Sequence, residues 1–279
     1  MNYIIDGTSK IYEANQDCTY KNFFPKNSDL CQYGCEFEFY IDKTIDFNVA
    51  IKNIKDKLFQ ITHSKIIVDM VSTPKYKERN NCMQIKPDIS LDDNGIEISV
   101  PISSKDGIIH YIQHISSIID QFGYTNEETG FHIHISTIKN DGNHIDFYRY
   151  MLLCHEEKLL TSWKPRNGYS QNVMDVLSKN TKQKSRIIKT KKGTIWNLEK
   201  IAPNHIEIKS IGGLNYHKDI DKLIYDFNLY TKYFLEVLNK PTKKHKKLIL
   251  EHKKPLESLS SEIQQEFKKA VDNTGILPV

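Results

Sequence analysis

The chain has 279 residues, of which 39% are hydrophobic and 27% charged, and its net charge is +4. This length allows one large domain or two small ones, and an aromatic content of 10% argues against disorder. Such a charge requires no nucleic-acid or membrane partner, and no apolar run reaches the length of a membrane span. The odd number of cysteines and an N-terminus without a signal-peptide pattern predict a cytoplasmic protein.

The first clear strand pattern begins at Gly34. Residues 1–33 are polar and irregular, with short strand pieces. Beyond them Glu36, Glu38 and Tyr40 alternate with apolar neighbours, which is typical of a strand with one buried face.

A helix and a β-hairpin are predicted next. Residues 51–61 carry apolar side chains at helical spacing, and residues 83–102 contain two alternating runs around the turn sequence of residues 92–95. A two-residue and a four-residue loop both fit this turn. In both cases the same face carries Lys86, Asp88, Ser90, Glu97 and Ser99.

Helices and strands continue to alternate through the second half. A strand at residues 131–136 contains His132 and His134, and a strand at residues 206–211 contains Glu207 and Lys209. The other predicted elements are helices at residues 108–122, 144–163, 173–177, 218–238 and 261–271 and a strand at residues 195–198.

These elements predict an α+β fold. Each strand is polar on one side and apolar on the other, so we expect a largely antiparallel sheet with a polar concave face and helices on the opposite face. Residues 1–240 would form one catalytic domain, and residues 241–279 a basic connector and a C-terminal helix packed on it. The lysine-rich run at residues 243–254 is either a solvated surface or a contact for phosphate or another polyanion.

Several strands set a carboxylate or a histidine between apolar neighbours. Each is ordinary by itself, because single acids and histidines commonly face solvent. On one shared face, however, several carboxylates would repel one another, and a divalent cation would relieve that repulsion. Two histidines two residues apart on a strand point the same way, and oxygen-rich ligation with imidazole favours Mg²⁺ or Mn²⁺ over structural zinc.

Other known signatures are missing from the sequence. It contains no Gly-x4-Gly-Lys-Ser/Thr loop, no Gly-x-Gly-x-x-Gly turn, no His-Glu-x-x-His helix and no Gly-x-Ser-x-Gly elbow. These absences argue against the common nucleotide-binding loops, zinc proteases and serine hydrolases.

In their order, the motifs resemble the amidoligases of the glutamine synthetase and glutamate–cysteine ligase superfamily, the carboxylate–amine ligases. The resemblance covers residues 34 to 240. The matching segments are Gly34-Cys35-Glu36-Phe37-Glu38, Lys86-Pro87-Asp88-Ile89-Ser90 with Gly95-Ile96-Glu97, Gly130-Phe131-His132-Ile133-His134-Ile135-Ser136, and Glu207-Ile208-Lys209 with Gly212.

The resemblance implies a fold like the glutamine synthetase catalytic domain. It also implies ATP-dependent joining of a small-molecule or peptide carboxylate to an amine through an acyl phosphate, with two Mg²⁺ or Mn²⁺ ions and, in some relatives, sites shared between subunits. By position, the metal ligands would be Glu36, Glu38, Glu97, His132 and Glu207. The nucleotide or substrate would contact Lys86, Asp88, Ser90, His134 and Ser136, with His134 open to metal or phosphate.

Catalytic roles would fall to Lys209, Glu38 and Arg186. Lys209 stands where the family has arginine, which keeps the charge but loses the bidentate fork that grips phosphate. Arg186 would contact a phosphate or a substrate carboxylate, or is an ordinary surface arginine. Two alternatives stay open: a metal-dependent hydrolase using the same face, and a catalytically degenerate member that acts as a binding or assembly protein.

Overall fold

The computed structural model describes the sheet and the helices that position the predicted site. The described residues are 10–12, 23–26, 29–62, 66–68, 82–88, 90–92, 94–138, 150, 153–154, 163, 197 and 204–238. The strands are β1 (Lys10–Tyr12), β2 (Cys31–Ile41), β3 (Ile66–Val68), β4 (Met83–Pro87), β5 (Gly95–Ser99), β6 (Gly123–Tyr124), β7 (Gly130–Thr137) and β8 (His205–Gly212). The helices are α1 (Phe47–Thr62), α2 (Lys105–Phe122) and α3 (Ile220–Val237).

The strands form one open sheet of eight strands in the order β1-β3-β4-β5-β2-β7-β8, with β6 paired to β2. Every pair among them is antiparallel except β3 with β4. The predicted mostly antiparallel sheet with helices is therefore confirmed.

Strand β2 occupies the centre of the sheet. Its residues pair with β5 on one side and with β7 and β6 on the other. The strict alternation of its sequence explains this position, because every second side chain is apolar and enters the core. The buried side chains of this parity are Cys31, Tyr33, Cys35, Phe37, Phe39 and Ile41.

The helices cover the apolar face. Their buried stripes, which include Leu58, Ile112, Ile115, Phe227 and Phe234, belong to the same hydrophobic core as the apolar strand residues. None of the helices in the described part of the chain is both long and apolar enough to cross a membrane.

Helix starts follow from local capping. Ser104 Oγ accepts a hydrogen bond from Gly107 N at 3.2 Å, and Asp219 Oδ1 accepts one from Lys222 N at 3.3 Å. Such side chains satisfy amide groups that the first helical turn leaves without a helical partner. They fix the beginnings of α2 and α3 close to where the apolar periodicity predicted them.

The predicted hairpin exists, but its connection was predicted wrongly. Pairing of β4 and β5 stops at Pro87 and Ile96, so residues 88–94 form a longer link than either predicted loop. Asp88 O accepts from Leu91 N at 3.1 Å, and Asn94 adopts a positive φ of 75°. These local turns compete with strand pairing and shorten the ladder.

Other boundaries differ in smaller ways. Strand β2 begins at Cys31, within the segment expected to be irregular, because Cys31 continues the buried parity. Strands β3 and β6 were not predicted, since they have only three and two residues and show no resolvable period.

Several predictions concern parts of the chain outside the described residues. Of the helix predicted at residues 144–163, Tyr150, Leu153, Cys154 and Trp163 are described. All four are buried; the first three are helical, whereas Trp163 is not. Beyond the description lie the predicted helices at 173–177 and 261–271, residues 195–198 apart from Asn197, and residues 241–279.

The turn from α2 into β6 requires a glycine. A Cβ atom at Gly123 would lie 2.3 Å from Tyr40 O and 2.8 Å from Phe39 Cδ2. We therefore expect Gly123→Ala to lower the free energy of unfolding by about 1–3 kcal/mol, measured by urea denaturation. Gly34→Ala is the matched control, because its Cβ would meet His134 Cβ at an ordinary 3.5 Å. Equal stability of the two variants would contradict the expected clash.

Candidate functional site

Strand register brings the polar side chains together on one face. Glu36 lies opposite His132 on β7, and Glu38 lies opposite Glu97 on β5. His134 lies opposite Glu207 on β8. Directly opposed residues of an antiparallel pair point to the same side of the sheet. The four motif strands therefore share a single polar surface, as their alternation predicted.

His132 lies at the centre of this surface. Its Nδ1 is 3.0 Å from Glu36 Oε2 and its Nε2 is 3.1 Å from Glu38 Oε1. The Nδ1 atom is also 3.8 Å from Glu207 Oε1, and the histidine is only 3% exposed. The imidazole therefore bridges two carboxylates and lies close to a third.

Glu36, His134 and Glu207 form a cluster that could hold a cation. One ligand atom from each lies within 4.8 Å of the other two. The sequence assigned His132 to metal and left His134 open to metal or phosphate. In the structure His134 joins the two glutamates, whereas His132 bridges carboxylates. Carboxylate oxygens with one imidazole suit a hard divalent cation, so the donor set fits the implied Mg²⁺ or Mn²⁺.

Two lysines approach the carboxylates from the flanking strands. Lys86 Nζ lies 2.9 Å from Glu97 Oε1, and Lys209 Nζ lies 3.5 Å from Glu207 Oε1. The register of β8 against β7 shifts between Phe131 and Ile133, the part of the ladder that faces Lys209. Such irregularities commonly re-aim side chains.

Burial and neighbouring charges perturb the ionisation of Glu97. Burial, followed by the charge of Glu36, raises the pKa of the Glu97 carboxyl to about 7, although Lys86 and Ser99 act in the opposite direction. Ser99 Oγ also donates a hydrogen bond to Glu97 Oε1. A carboxylate that resists ionisation marks a place where negative charge is crowded.

Asp88 and Ser90 lie at the end of β4. Asp88 Oδ1 accepts hydrogen bonds from the Ser90 amide and hydroxyl, each at 2.6 Å. Burial alone would raise the pKa of Asp88, but these hydrogen bonds and the charge of His132 bring it below the ordinary value. Asp88 thus remains part of the polar surface, whereas Ser90 is exposed and supports Asp88.

An open cleft runs along the polar face beside the cation cluster. Its volume is about 430 Å³. The polar side chains that line it are Gln32, Glu36, Gln84, Lys86, Ser99, His134, Ser136 and His205. The cleft could therefore receive a polar ligand next to the cluster.

Sequence reasoning missed two residues of this face. Asn197 Nδ2 donates to Glu207 Oε2 at 2.7 Å, and His205 Nδ1 lies 2.7 Å from Ser136 Oγ. His205 precedes Glu207 by two residues, so strand parity could have found it. Asn197 precedes Glu207 by ten residues and belongs to no motif that would mark it. Arg186 lies outside the described residues.

No family model matches the chain, and no curated protein matches it.

The raised pKa of Glu97 predicts that the stability of the protein depends on pH in metal-free buffer. The folded carboxyl titrates near 7 and its ordinary value is 4.5, so the folded chain holds the proton more tightly. Stability should then fall as pH rises through this window and level off above it. Glu97→Gln cannot titrate, so its stability relative to the wild type should increase across the window, as measured by urea denaturation. Glu127→Gln, at an exposed position, is the control; identical pH slopes for wild type and Glu97→Gln would contradict the effect.

Proposed function

We propose that the chain is an ATP-dependent carboxylate–amine ligase that uses Mg²⁺ or Mn²⁺ and forms an amide or isopeptide bond. The observation that carries the proposal is the approach of ligand atoms of Glu36, His134 and Glu207 to within 4.8 Å of one another. These residues come from three of the motifs that resemble the amidoligases. Their assembly at one point is what such an enzyme requires.

The first ion would bind to this cluster. The donors are carboxylate oxygens and one imidazole nitrogen, and they adjoin an open cleft with room for water and substrate. Mg²⁺ commonly keeps several waters and takes one or two carboxylates together with substrate phosphates. A cluster of three protein donors beside a cleft fits that mode of binding better than a closed structural zinc site.

We assign the second ion of the proposal to Glu38 and Glu97. They are direct cross-strand neighbours, 2% and 6% exposed respectively. Two buried carboxylates on adjacent strands repel each other, and a cation offsets this cost. Burial, and then the charge of Glu36, raises the pKa of Glu97, so a further negative charge beside Glu97 is costly without a cation.

The two lysines would act on the nucleotide. When bound, MgATP supplies a phosphoryl group that activates the substrate carboxylate. Lys209, 19% exposed and near Glu207, would hold the transferred phosphate oxygens as a point charge. Lys86, 26% exposed, reaches both Glu97 and the cleft, where His134 and Ser136 offer further polar contacts.

The same proposal includes a glutamine synthetase-like catalytic domain with a concave polar face, acting on a small-molecule or peptide carboxylate and an amine. It also includes a cytoplasmic location. Among the described residues, Cys31, Cys35, Cys82 and Cys154 are buried thiols, which fits a reducing compartment.

Glu38→Gln tests the ligase directly. With MgATP, a carboxylate and an amine, the wild type should release ADP and phosphate, and Glu38→Gln should abolish this release because it removes a charge beside His132. A coupled ADP assay on a panel of carboxylates and amines gives the measurement. Glu127→Gln, at an exposed turn, should retain wild-type turnover.

Calorimetry with an ATP analogue and Mn²⁺ separates the alternatives. If the wild type binds Mn²⁺ but not the ATP analogue, and cleaves a substrate, the metal-dependent hydrolase is favoured over the ligase. Nucleotide binding without turnover would indicate a degenerate member. Wild-type turnover by Glu38→Gln would remove Glu38 from the catalytic machinery.

Lys209→Met separates phosphate stabilisation from cation binding. Loss of a charge at the transferred phosphate should lower ADP release by about 100-fold or more. Mn²⁺ affinity should stay equal or rise, because the ammonium near Glu207 Oε1 no longer opposes the cation. Electron paramagnetic resonance of free Mn²⁺ measures the affinity. Lys218→Met, at an exposed position, is the control, and unchanged ADP release by Lys209→Met would exclude the assigned role.

A further inference from the structure

We infer that His205 is a positioning residue that selects the tautomer of His134 and so presents its Nε2 atom to a divalent cation. The inference rests on the cation cluster of the proposed function, but it does not depend on ATP or on the ligase reaction.

The inference begins with a chain of three side chains. His134 Nδ1 lies 3.4 Å from His205 Nε2, a long hydrogen bond. The two rings stack with centroids 5.4 Å apart and planes inclined by 25°. His205 Nδ1 in turn lies 2.7 Å from Ser136 Oγ. Both nitrogens of His205 are thus engaged, one by the proposed metal ligand and one by a hydroxyl.

The number of protons on each imidazole determines which group donates each hydrogen bond among His134, His205 and Ser136. A neutral imidazole has one N–H group and one lone pair, and a nitrogen that ligates metal must supply the lone pair. If His134 ligates through Nε2, its Nδ1 carries the proton and donates to His205 Nε2. His205 then carries its own proton on Nδ1 and donates to Ser136 Oγ. Each contact therefore has one donor and one acceptor.

The surroundings of His134 Nε2 agree with this assignment of donors and acceptors. Its Nε2 lies 3.4 Å from Glu36 Oε1, on the side of the proposed cation. In the selected tautomer a nitrogen lone pair would face a carboxylate oxygen, an arrangement of two acceptors that repel. A cation between them turns the repulsion into shared ligation, which is the role proposed for Glu36 and His134 in the cation cluster.

The pairing of β7 with β8 holds His134, His205 and Ser136 in position. Ser136 lies opposite His205, and His134 lies opposite Glu207 on the same two strands. The position of His205 is therefore coupled through β8 to that of a proposed ligand. His134 and His205 also line the cleft, so water would compete for His134 Nδ1 if His205 were absent. Partners that orient a ligating histidine typically account for about a 10- to 100-fold difference in metal affinity.

The test compares Mn²⁺ affinity among full-length variants by electron paramagnetic resonance. His205→Leu removes the acceptor and should weaken Mn²⁺ binding by about 10- to 100-fold. His205→Gln retains a side-chain oxygen that can accept from His134 Nδ1, and should restore most of the affinity. His114→Leu, on α2, should bind as the wild type does. Thermal unfolding of each variant shows that the chain is folded.

A second measurement reads the tautomer without metal. Nitrogen-15 resonances of selectively labelled histidine distinguish a protonated ring nitrogen from one with a lone pair. In the metal-free wild type, His205 Nε2 favours a proton on His134 Nδ1, and the Glu36 carboxylate favours one on His134 Nε2. His205→Leu should therefore lower the fraction of His134 that carries its proton on Nδ1, whereas a merely structural loss of packing would leave this fraction unchanged.

The outcomes separate the inference from the proposed function. If the wild type binds no Mn²⁺, both are overturned. A second outcome is that the wild type binds Mn²⁺, Glu36→Gln does not bind it, and His205→Leu binds it as tightly as the wild type does. In that case the cation site stands and the role of His205 is overturned. An equal fraction of Nδ1-protonated His134 in the metal-free wild type and in metal-free His205→Leu would also overturn that role.

Discussion

The candidate site depends on keeping several carboxylates close together on one buried sheet face. Glu38, Glu97 and Glu207 are 2%, 6% and 1% exposed. Moving a charged carboxylate out of water costs several kilocalories per mole unless opposite charge or hydrogen bonds compensate. The chain supplies part of the compensation with His132, which bridges Glu36 and Glu38, and with lysines on the flanking strands. The raised pKa of Glu97 indicates that the compensation is incomplete in the metal-free chain.

The opposite face of the same sheet determines where these charges lie. Apolar residues of alternate parity on β2, β5, β7 and β8 pack with the three helices into one core. A shift of one residue in any of these registers would bring a glutamate or a histidine into that core and an apolar side chain to the polar surface. Hydrophobic packing therefore fixes the strand registers, and the registers bring Glu36 opposite His132 and His134 opposite Glu207. The precision of the polar site is thus a consequence of the packing behind it.

In the proposed enzyme, some residues would touch the cation or the nucleotide, and others would orient those residues. Glu36 and His134, which would touch the cation, lie on β2 and β7, where strand pairing on both sides limits their movement, whereas Glu207 lies on β8 at the edge of the described sheet. Residues that orient these ligands, such as His205 and Asn197, contact His134 and Glu207 and would not touch the cation themselves. The crowded negative charge would make the metal-free site unfavourable and the metal-loaded site favourable, so that cation binding and completion of the active site become one event.

Alternation along the chain was enough to predict the longer strands β2, β4, β5, β7 and β8, their polar and apolar faces, and the acids and histidines that share one surface, because side-chain direction in a strand depends only on parity. Periodicity likewise predicted α1, α2 and α3. Tertiary structure decided the strand order, the bridge that His132 makes, the pairing of His205 with His134, and the contact of Asn197 with Glu207. These features depend on which strands become neighbours and in what register, and that choice follows from packing between residues far apart in sequence, which no local pattern contains.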